Sequence, residues 1–447
     1  MVLFTCATGS ATGSSSGWCS TPETRPSASA IGWLSRRWRL CGDPTGDEDA
    51  RAAHRRGRAT VRGVPVADLF APPPEVAAHA AVTAAGRLCT DVLEPHAAAA
   101  DDPACGVRRE DLDALAAEGL YSVTVPSGDG GHGATAAVEA EVVELLAGAC
   151  GATWFVLTQH EMPQALVRGR LAIDADAVTA GPAAARHHAA LCRGSALAGI
   201  ALAHLRRPGP PAVTAEPDGC GGYLLCGRSE WCTGWGLLDL LLLAATTPDG
   251  RVVFGLIEAT ERDGLRAGAP LPLAVMAGTA TVALEFDRCR IAAEEVALTM
   301  DSREWQELDA ARSANTRPAA LGLLRRALIE LERLGHERDR PAAVDAALEL
   351  AQLAVPLRSE AYALRDAAVG EHAARRTELR GQLAELTVRA TTALIAARSG
   401  SALLATSPEQ RWAREAAFHL VQAQTTTVRA AQLAALLHPA VADEEPP

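Results

Sequence analysis

Apolar residues change their spacing twice along this chain of 447 residues. From about residue 75 they recur with helical spacing, as in the segments REDLDALAAEGL and ATAAVEAEVVELLAGACG. A glycine follows the last apolar residues of each segment, Gly119 and Gly151, and glycine at this position commonly ends a helix. These patterns predict an N-terminal helical domain over residues 75–194.

Between residues 195 and 299 the apolar runs are shorter and are separated by turn residues. AVTAEP and YLLCGRSEWCT flank DGCGG, LLLLAATT and VVFGLIEA flank PDGR, and ATVALEFDRCRI follows. Strand-length runs separated by such turns are typical of β-hairpins. We therefore expect a small antiparallel β-domain over residues 195–299.

Helical spacing returns after about residue 300. Leucines recur at intervals of three and four residues, at Leu321, Leu324, Leu328 and Leu331, and several long helical segments follow. Helices that are apolar along one stripe need one another to bury it. The sequence therefore predicts an α+β protein that is mostly α, in which a C-terminal four-helix bundle over residues 300–437 follows the β-domain.

The two ends of the chain differ in composition from the middle. Residues 1–74 are rich in Ser, Gly, Thr and Arg and have no lasting helical period. Such a composition buries too little apolar surface to offset the entropy that ordering costs. We expect residues 1–74 to be a disordered or low-complexity extension and residues 438–447 to be a solvated tail.

Charge and cysteine usage exclude several classes of function. The net charge is −12 and the basic residues, all arginine, form no extended stripe, so a nucleic-acid partner is not expected. No run of eighteen apolar residues predicts a membrane span. Eleven cysteines without a CxxC pair indicate reduced thiols, no metal site and a cytoplasmic location.

Three local motifs, in this order of domains, resemble those of the acyl-CoA dehydrogenase superfamily. REDLDALAAEGLYSVTVPSGDGGHG is similar to the family's N-terminal helix followed by a VP-x-x-x-GG-x-G loop. GRSEWCTGWGLLD resembles its flavin-contacting strand, usually G-x-K-x-W-I-T-N/S-G followed by A-D. DGLR and LEFDRCRIAAEEV resemble the segments that close its β-domain. The resemblance covers roughly residues 75–435.

The resemblance implies a flavin cofactor, FAD or alternatively FMN. In the family, the tryptophan of the flavin-contacting strand lies against the isoalloxazine edge and the threonine hydroxyl bonds near flavin N5. Trp231 and Thr233 occupy these positions. An alternative from the motif alone is that Trp231 is an ordinary aromatic at the rim of a sheet.

The carboxylate base of the family is missing from its usual place. PEQRWARE matches the family's P-x-E-x-x-x-R-D segment, and the stretch downstream reads VQAQTTT, which puts Ala423 at the catalytic position with Gln424 and Thr425 beside it as cofactor contacts. Neither alanine nor glutamine accepts a proton usefully at neutral pH. Glu307 and Glu330, near the bundle's first helix, are poorly spaced substitutes.

Two further cofactor contacts have changed. The family's R-x-x-F-G element has become HERDRPAA, so Arg338 or Arg340 is the candidate for the flavin phosphates, with pairing to Glu337 or Asp339 as the alternative. The hydroxyl-rich T-E-P-x-A-G-S-D loop is replaced near ALAHLRRPGPPAV.

Flavin monooxygenases of the same fold need no α-proton base, but they use a histidine or serine near the flavin. His160 and His419 are the candidates for that role here, and a structural role is the alternative for each. Ser229 and Ser313 are weaker candidates. Asp309 and Arg312 resemble the family's D-x-x-R, and we expect them to form an ion pair that holds a helix to the β-domain.

Three functions remain open. The first is a flavin-dependent oxidoreductase that desaturates an acyl-CoA or acyl-carrier thioester with a non-standard or absent glutamate base. The second is a two-component flavin monooxygenase that uses reduced flavin and oxygen, and the third is a catalytically degenerate partner subunit. The resemblance also implies an electron-transfer or flavin reductase partner and a homodimer or homotetramer.

Overall fold

The structure is a computed structural model that describes residues 63–171, 178–365, 367 and 370–440. All of its helices and strands belong to the unit Val64–Pro447. Most of the predicted extension, residues 1–62, and the end of the predicted tail, residues 441–447, lie outside the described residues.

Helices form the N-terminal third of the described chain and all of its C-terminal part. The helices are α1 (Val66–Leu69), α2 (Pro74–Ala77), α3 (Ala80–Leu88), α4 (Glu94–Asp101), α5 (Arg109–Ala117), α6 (Ala136–Ala149), α7 (Gly151–Leu157), α8 (Glu161–Val167), α9 (Pro182–Cys192), α10 (Ser302–Ala314), α11 (Pro318–Glu337), α12 (Pro341–Arg365), α13 (Ala373–Arg398), α14 (Pro408–Val421) and α15 (Thr426–Leu437). A π-helical turn, Cys89–Leu93, joins α3 to α4. Short 3₁₀ turns cover Ser127–Asp129, Thr158–His160, Ala203–Arg206, Ala277–Thr279, Ala293–Glu295 and Ser399–Leu403.

A single sheet separates the two helical parts in the chain. Its strands are β1 (Val178–Ala180), β2 (Ala198–Ala201), β3 (Val213–Pro217), β4 (Tyr223–Cys232), β5 (Leu240–Thr246), β6 (Arg251–Glu258), β7 (Leu265–Ala267), β8 (Val282–Ile291) and β9 (Val296–Asp301). The strand order is β1-β9-β6-β5-β3-β4-β8-β7, with β2 beside β5. The predicted hairpins β3–β4 and β5–β6 are antiparallel as expected, whereas β2 and β3 both pair with β5 in parallel.

Both faces of the sheet are covered by helices, which explains why β5 reads as an unbroken apolar run. Leu241 and Leu243 pack into a core shared with helices α3 to α7. Leu240 and Leu242 face the other way, into a core with α8, α9 and α10. The bundle has its own core, formed chiefly by α11, α12, α13 and α14. The predicted fold class, helical domain, β-domain and helical bundle, is confirmed.

Two details of the sequence prediction are wrong. The extension was expected to continue to residue 74, but Val66 and Phe70 are fully buried in the bundle core. Gly119 does end a helix with a left-handed φ of 68°, whereas Gly151 begins helix α7 instead of ending α6. A Cβ at Gly151 would lie 2.7 Å from the carboxyl carbon of Glu415, so this glycine permits a close contact between α7 and α14.

Candidate functional site

A cavity of about 510 Å³ lies between the N-terminal helices and the beginning of the bundle. Its walls come from α6, from the continuous stretch of α7 and α8, and from the turn that joins α10 to α11. Leu146, Trp154 and Leu157 supply an apolar wall, and Arg312 and Arg317 lie on the bundle side. The cavity has the size of a small-molecule site.

Several buried polar atoms at the cavity have no hydrogen-bond partner. Buried polar groups in folded proteins are nearly always paired with protein, water or a ligand. The unpaired atoms on lining residues are Trp154 Nε1, Thr316 Oγ1, Arg317 Nε and Gln422 Oε1, and those on neighbours of the lining are Ser313 Oγ and His419 Nδ1. The unpaired atoms in the lining are free to bond to polar groups of a ligand or to water.

Two carboxylates line the cavity, Glu139 and Glu161. Burial raises the pKa of Glu139, and the nearby charge of Glu161 adds to this, while a hydrogen bond of 3.2 Å from the hydroxyl of Thr124 opposes it. Glu161 is exposed and accepts a hydrogen bond of 2.8 Å from Thr158. Glu139 is therefore the carboxylate whose surroundings favour proton uptake, and sequence reasoning missed it among the glutamates of an ordinary helix.

The bundle side of the cavity is cationic. Arg312 and Arg317 are only partly exposed, and burial lowers the pKa of each guanidinium below its usual value. Arg380, buried beside them, donates to the carbonyl oxygens of Ser313, Gln422 and Ala423 and so joins the end of α10 to the loop after α14. Burial lowers the pKa of Arg380 to about 9.

His160 lines the cavity, but both of its ring nitrogens are used by the backbone. The amide of Ala198 donates to Nδ1 at 3.1 Å, so Nε2 carries the proton and donates to the carbonyl of Leu191 at 2.9 Å. Burial lowers the pKa of His160 to about 4. These contacts agree with the alternative that His160 has a structural role, because neither nitrogen is available to a ligand.

His419 lies behind the cavity wall, with its ring 5.5 Å from that of Trp154. The side chain is 5% exposed, and its Nδ1 has no hydrogen-bond partner. Burial lowers the pKa of His419 to about 3; the side chain of Gln422 opposes this shift, and the charges of Arg380 and Arg317 add to it. The imidazole is therefore neutral at physiological pH, with one nitrogen still unused.

Trp231 and Thr233 are neighbours on β4 and in the turn after it, but their environments differ. The Trp231 side chain is 47% exposed and Thr233 is buried. The hydroxyl of Thr233 begins a chain of hydrogen bonds to Thr281 (3.0 Å), Thr279 (2.9 Å) and the carbonyl of Met276 (2.7 Å). Each hydroxyl has one proton and the chain ends at a carbonyl, so Thr233 donates inward and offers only acceptor lone pairs outward.

The loop after α14 contains no carboxylate. Ala423, at the expected position of the catalytic glutamate, adopts a left-handed φ of 45°. Gln424 is engaged locally with Leu420, Arg429 and Gln432, and the hydroxyl of Thr425 caps helix α15. Both residues predicted to contact the cofactor therefore have their polar groups committed within the loop.

The two arginines predicted to bind the flavin phosphates lie at helix ends, where one is hydrogen-bonded within the chain and the other is exposed. Arg340 donates to the carbonyl of Ala397 and to Ser399 (3.3 Å), at the end of helix α13. Arg338 is exposed at the end of α11. The alternative of pairing with Glu337 is not observed, since Glu337 pairs with Arg333.

The expected link between helix and β-domain is present, but with a different arginine. Both oxygens of Asp309 accept from Arg206, at 2.6 and 2.7 Å, which joins α10 to the 3₁₀ turn Ala203–Arg206. Arg312 was the expected partner and takes no part, because the carboxylate is already filled.

The remaining candidate residues are placed as follows. Ser229 is buried and bonds to His204 at 3.2 Å, so its hydroxyl is occupied. Glu307 is exposed on α10, and Glu330 pairs with Arg326 and Arg333. Neither glutamate lines the cavity.

The described residues contain no group of three metal-ligating side chains that could hold an ion. Of the helices in the described part of the chain, none is both long and apolar enough to cross a membrane.

Comparison with known proteins identifies the fold. Residues 77–168 match the acyl-CoA dehydrogenase N-terminal domain. Butyryl-CoA dehydrogenase from Megasphaera elsdenii is similar in structure, with a TM-score of 0.62 and 16% identity over 80% of this chain and 97% of that one. The chain has the acyl-CoA dehydrogenase fold.

Other solved structures of this fold differ in chemistry. Dibenzothiophene monooxygenase from Paenibacillus sp. A11-2 matches with a TM-score of 0.63 and 18% identity, over 80% of this chain and 97% of that one. Glutaryl-CoA dehydrogenase in complex with glutaryl-CoA matches with a TM-score of 0.63 and 15% identity, over 82% and 96%. No curated protein sequence matches the chain significantly. The predicted resemblance to the superfamily is confirmed, and the solved structures that share this fold include both dehydrogenases and a monooxygenase.

The described residues fit a flavin in part. The exposed indole of Trp231 offers a flat apolar surface for the edge of a flavin ring, beside the acceptor lone pairs of Thr233. Arg340, Gln424 and Thr425 are already hydrogen-bonded within the chain. The fit is therefore better at the ring than at the phosphates.

Proposed function

We propose that the protein is a flavin-dependent oxidoreductase that desaturates an acyl thioester held in the 510 Å³ cavity. The observation that carries the proposal is the cavity itself, which has an apolar wall for an acyl chain and unpaired polar atoms in its lining. FAD is the proposed cofactor, with FMN as the alternative.

Desaturation removes a proton from the α-carbon and a hydride from the β-carbon, and a double bond forms between them. Flavin, when bound, supplies the hydride acceptor. Glu139 is the proposed base, because it lines the cavity and burial raises its pKa, which makes the carboxylate a stronger base. Thr233 would accept a hydrogen bond from the cofactor, and Trp231 would stack against it.

The experiment is an anaerobic titration of the purified, flavin-loaded protein with acyl-CoA thioesters, followed by the visible spectrum. Bleaching of oxidised flavin supports desaturation. Glu139→Gln should slow bleaching at least 100-fold, the usual contribution of a general base. The matched control is Glu110→Gln, which changes an exposed glutamate on α5 and should leave the rate unchanged. A loaded protein that no thioester bleaches would refute this function.

A second candidate is a two-component monooxygenase supplied with reduced flavin by a partner reductase. Two observations favour it: position 423 holds no carboxylate, and buried His419 keeps a neutral imidazole with an unused nitrogen next to Trp154. Incorporation of ¹⁸O from labelled oxygen into an organic substrate, in the presence of reduced flavin, is the test. His419→Ala should then uncouple oxygen consumption from product formation.

The third candidate, a degenerate partner subunit, is tested by flavin uptake. A purified protein that is colourless and takes up neither FAD nor FMN would support it and would exclude both enzymatic proposals. Acid release and chromatography of the bound flavin would distinguish FAD from FMN.

Exposed apolar residues near the C-terminus support the proposal of a homo-oligomer. Large apolar side chains are rarely left in clusters on a monomer's surface. Those exposed here are Leu403, Leu404, Val421, Leu433, Leu436 and Leu437. Light scattering of the purified protein would show whether it is a dimer, a tetramer or a monomer.

A further inference from the structure

We infer that the cavity selects an acyl group that carries its own negative charge, and that Arg312 and Arg317 bind this charge. The inference rests on the proposed thioester substrate and specifies its class as a dicarboxylic or otherwise anionic acyl group.

Arg312 and Arg317 have no hydrogen-bond or ion-pair partner among the described residues, although both line the cavity. Asp309 lies one helical turn from Arg312, but Arg206 occupies both of its oxygens. The Nε of Arg317 is sealed from solvent and unpaired. A guanidinium group offers five donors, so these two side chains leave a large unmet demand for acceptors.

Two other half-buried arginines, which pack between α6 and the bundle, have carboxylate partners. Arg325 lies 2.6 Å from Glu141, and Arg358 lies 2.7 Å from Glu144, both between α6 and the bundle. An unpaired buried cation is costly, and replacing it by an uncharged residue of similar size is often neutral or stabilising. Arg312 and Arg317 therefore have the pattern expected of ligand-binding groups.

The charge of the whole lining leads to the same conclusion. Five arginines and only two glutamates line the cavity, in a chain whose net charge is −12. The arginines in the lining are Arg168, Arg170, Arg312, Arg317 and Arg365. A cavity with this excess of arginines attracts an anion even in a protein of negative net charge.

The chemistry of the walls favours a carboxylate on the acyl chain. Guanidinium groups bind carboxylate and phosphate with paired hydrogen bonds. The apolar surface of Leu146, Trp154 and Leu157 suits the methylene groups that join such a carboxylate to the thioester. A phosphate group of the thioester carrier is also an anion that guanidinium groups bind. The experiment must therefore distinguish binding of an acyl carboxylate from binding of a carrier phosphate.

Two thioesters of the same carrier make this separation. Glutaryl-CoA ends in a carboxylate, and 5-methylhexanoyl-CoA ends in an uncharged group of the same shape. Their affinities are measured by calorimetry on the flavin-loaded protein with its flavin chemically reduced, so that no turnover occurs. We expect glutaryl-CoA to bind at least tenfold more tightly, the difference that one charge-assisted hydrogen bond makes.

The variants are Arg312→Gln and Arg317→Gln, with Arg303→Gln as the matched control, because Arg303 is exposed on the same helix as Arg312 and lies outside the cavity. Each cavity variant should lose about tenfold to a hundredfold in affinity for glutaryl-CoA and little for the neutral thioester. The control should keep the full preference. Each cavity variant should also melt at the same or a higher temperature than the unchanged protein.

Four results would overturn the inference. Equal affinity for the two thioesters excludes selection of an acyl charge and leaves the proposed function standing. Equal losses for both thioesters in the arginine variants would assign the arginines to the carrier's phosphates. A melting temperature lowered by several degrees in Arg312→Gln would make that arginine structural. Failure of both thioesters to bind would remove the proposed function together with the inference.

Discussion

Glu415 allows a test of how burial near this cavity changes the pKa of a carboxyl group and, through it, the stability of the protein. Its side chain is 2% exposed, and its Oε1 has no hydrogen-bond partner. The carboxylate lies against the first residue of α7, and Arg411 approaches it only to 3.6 Å. Burial raises the pKa of Glu415 from 4.5 to about 7, aided by Asp101 and opposed by Arg411.

A raised carboxyl pKa means that folding favours the protonated form. The stability that this group contributes is fully present below pH 4.5 and is lost as the pH rises through 7. One unit of pKa shift corresponds to about 1.4 kcal/mol, so ionisation costs the folded protein up to about 3 kcal/mol at pH 8. Glu415→Gln keeps the shape and removes this ionisation, although Arg411 then loses a carboxylate.

We therefore expect Glu415→Gln to raise the free energy of unfolding by about 1 to 3 kcal/mol at pH 8 and by almost nothing at pH 4.5. The assay is urea unfolding of both proteins at half-unit steps from pH 4.5 to 8, monitored by circular dichroism. The matched control is Glu216→Gln, an exposed glutamate on β3, which should follow the unchanged protein at every pH.

The difference in free energy of unfolding between Glu415→Gln and the unchanged protein should grow between pH 5 and 7 and then remain constant. A constant difference across the whole range would mean that Glu415 titrates normally and that burial has not shifted it. A difference that opens in the opposite direction would mean that the Arg411 pair outweighs the burial.

Three further substitutions test the packing on which the site depends. Gly322→Ala places a Cβ 2.1 Å from the backbone oxygen of Glu144, so α6 and α11 must move apart. Calorimetry should show that the free energy of unfolding falls by about 1 to 3 kcal/mol. An unchanged melting temperature would contradict this contact. Asp309→Asn removes the charge to which Arg206 donates, and urea unfolding should show that the free energy of unfolding falls by about 2 kcal/mol. The loss should be smaller in a protein in which Arg206 is also changed to Met. Leu328→Ala, at a fully buried bundle position, should cost about 2 to 5 kcal/mol, and a loss below 1 kcal/mol would mean that the bundle core repacks.

Periodicity predicted the large elements because each is long enough to show its buried stripe. The leucine repeat in α11 and the turn residues between β3 and β4 are local signals, and both led to elements of the expected type. Strands β1 and β2 have three and four residues, too few for any alternation, and they are strands only because β9 and β5 provide partners. The burial of Phe70 in the distant bundle core likewise leaves no local trace.

The site was harder to predict because a side chain is available to a ligand only if other residues have not already formed hydrogen bonds or ion pairs with it. Asp309 and Arg312 have a spacing that suits an ion pair on one helix, and Arg206, about a hundred positions earlier, takes the carboxylate instead. The sequence left His160 open between a role near the flavin and a structural role, and only the folded backbone shows that Leu191 and Ala198 bond to both of its nitrogens. Sequence motifs identify residue types, whereas the availability of a side chain is a property of the folded neighbourhood.

The costs concentrated around the cavity argue against a protein that has kept only its architecture. The half-buried side chains of Arg312 and Arg317 have no hydrogen-bond partner within the described part of the chain, and burial raises the pKa of Glu415 to about 7. Apolar residues of similar size would stabilise the same helices more than these polar groups do. The arginines in the cavity lining favour a protein that binds an anionic ligand there, and flavin uptake is the measurement that separates the enzymatic proposals from the degenerate subunit.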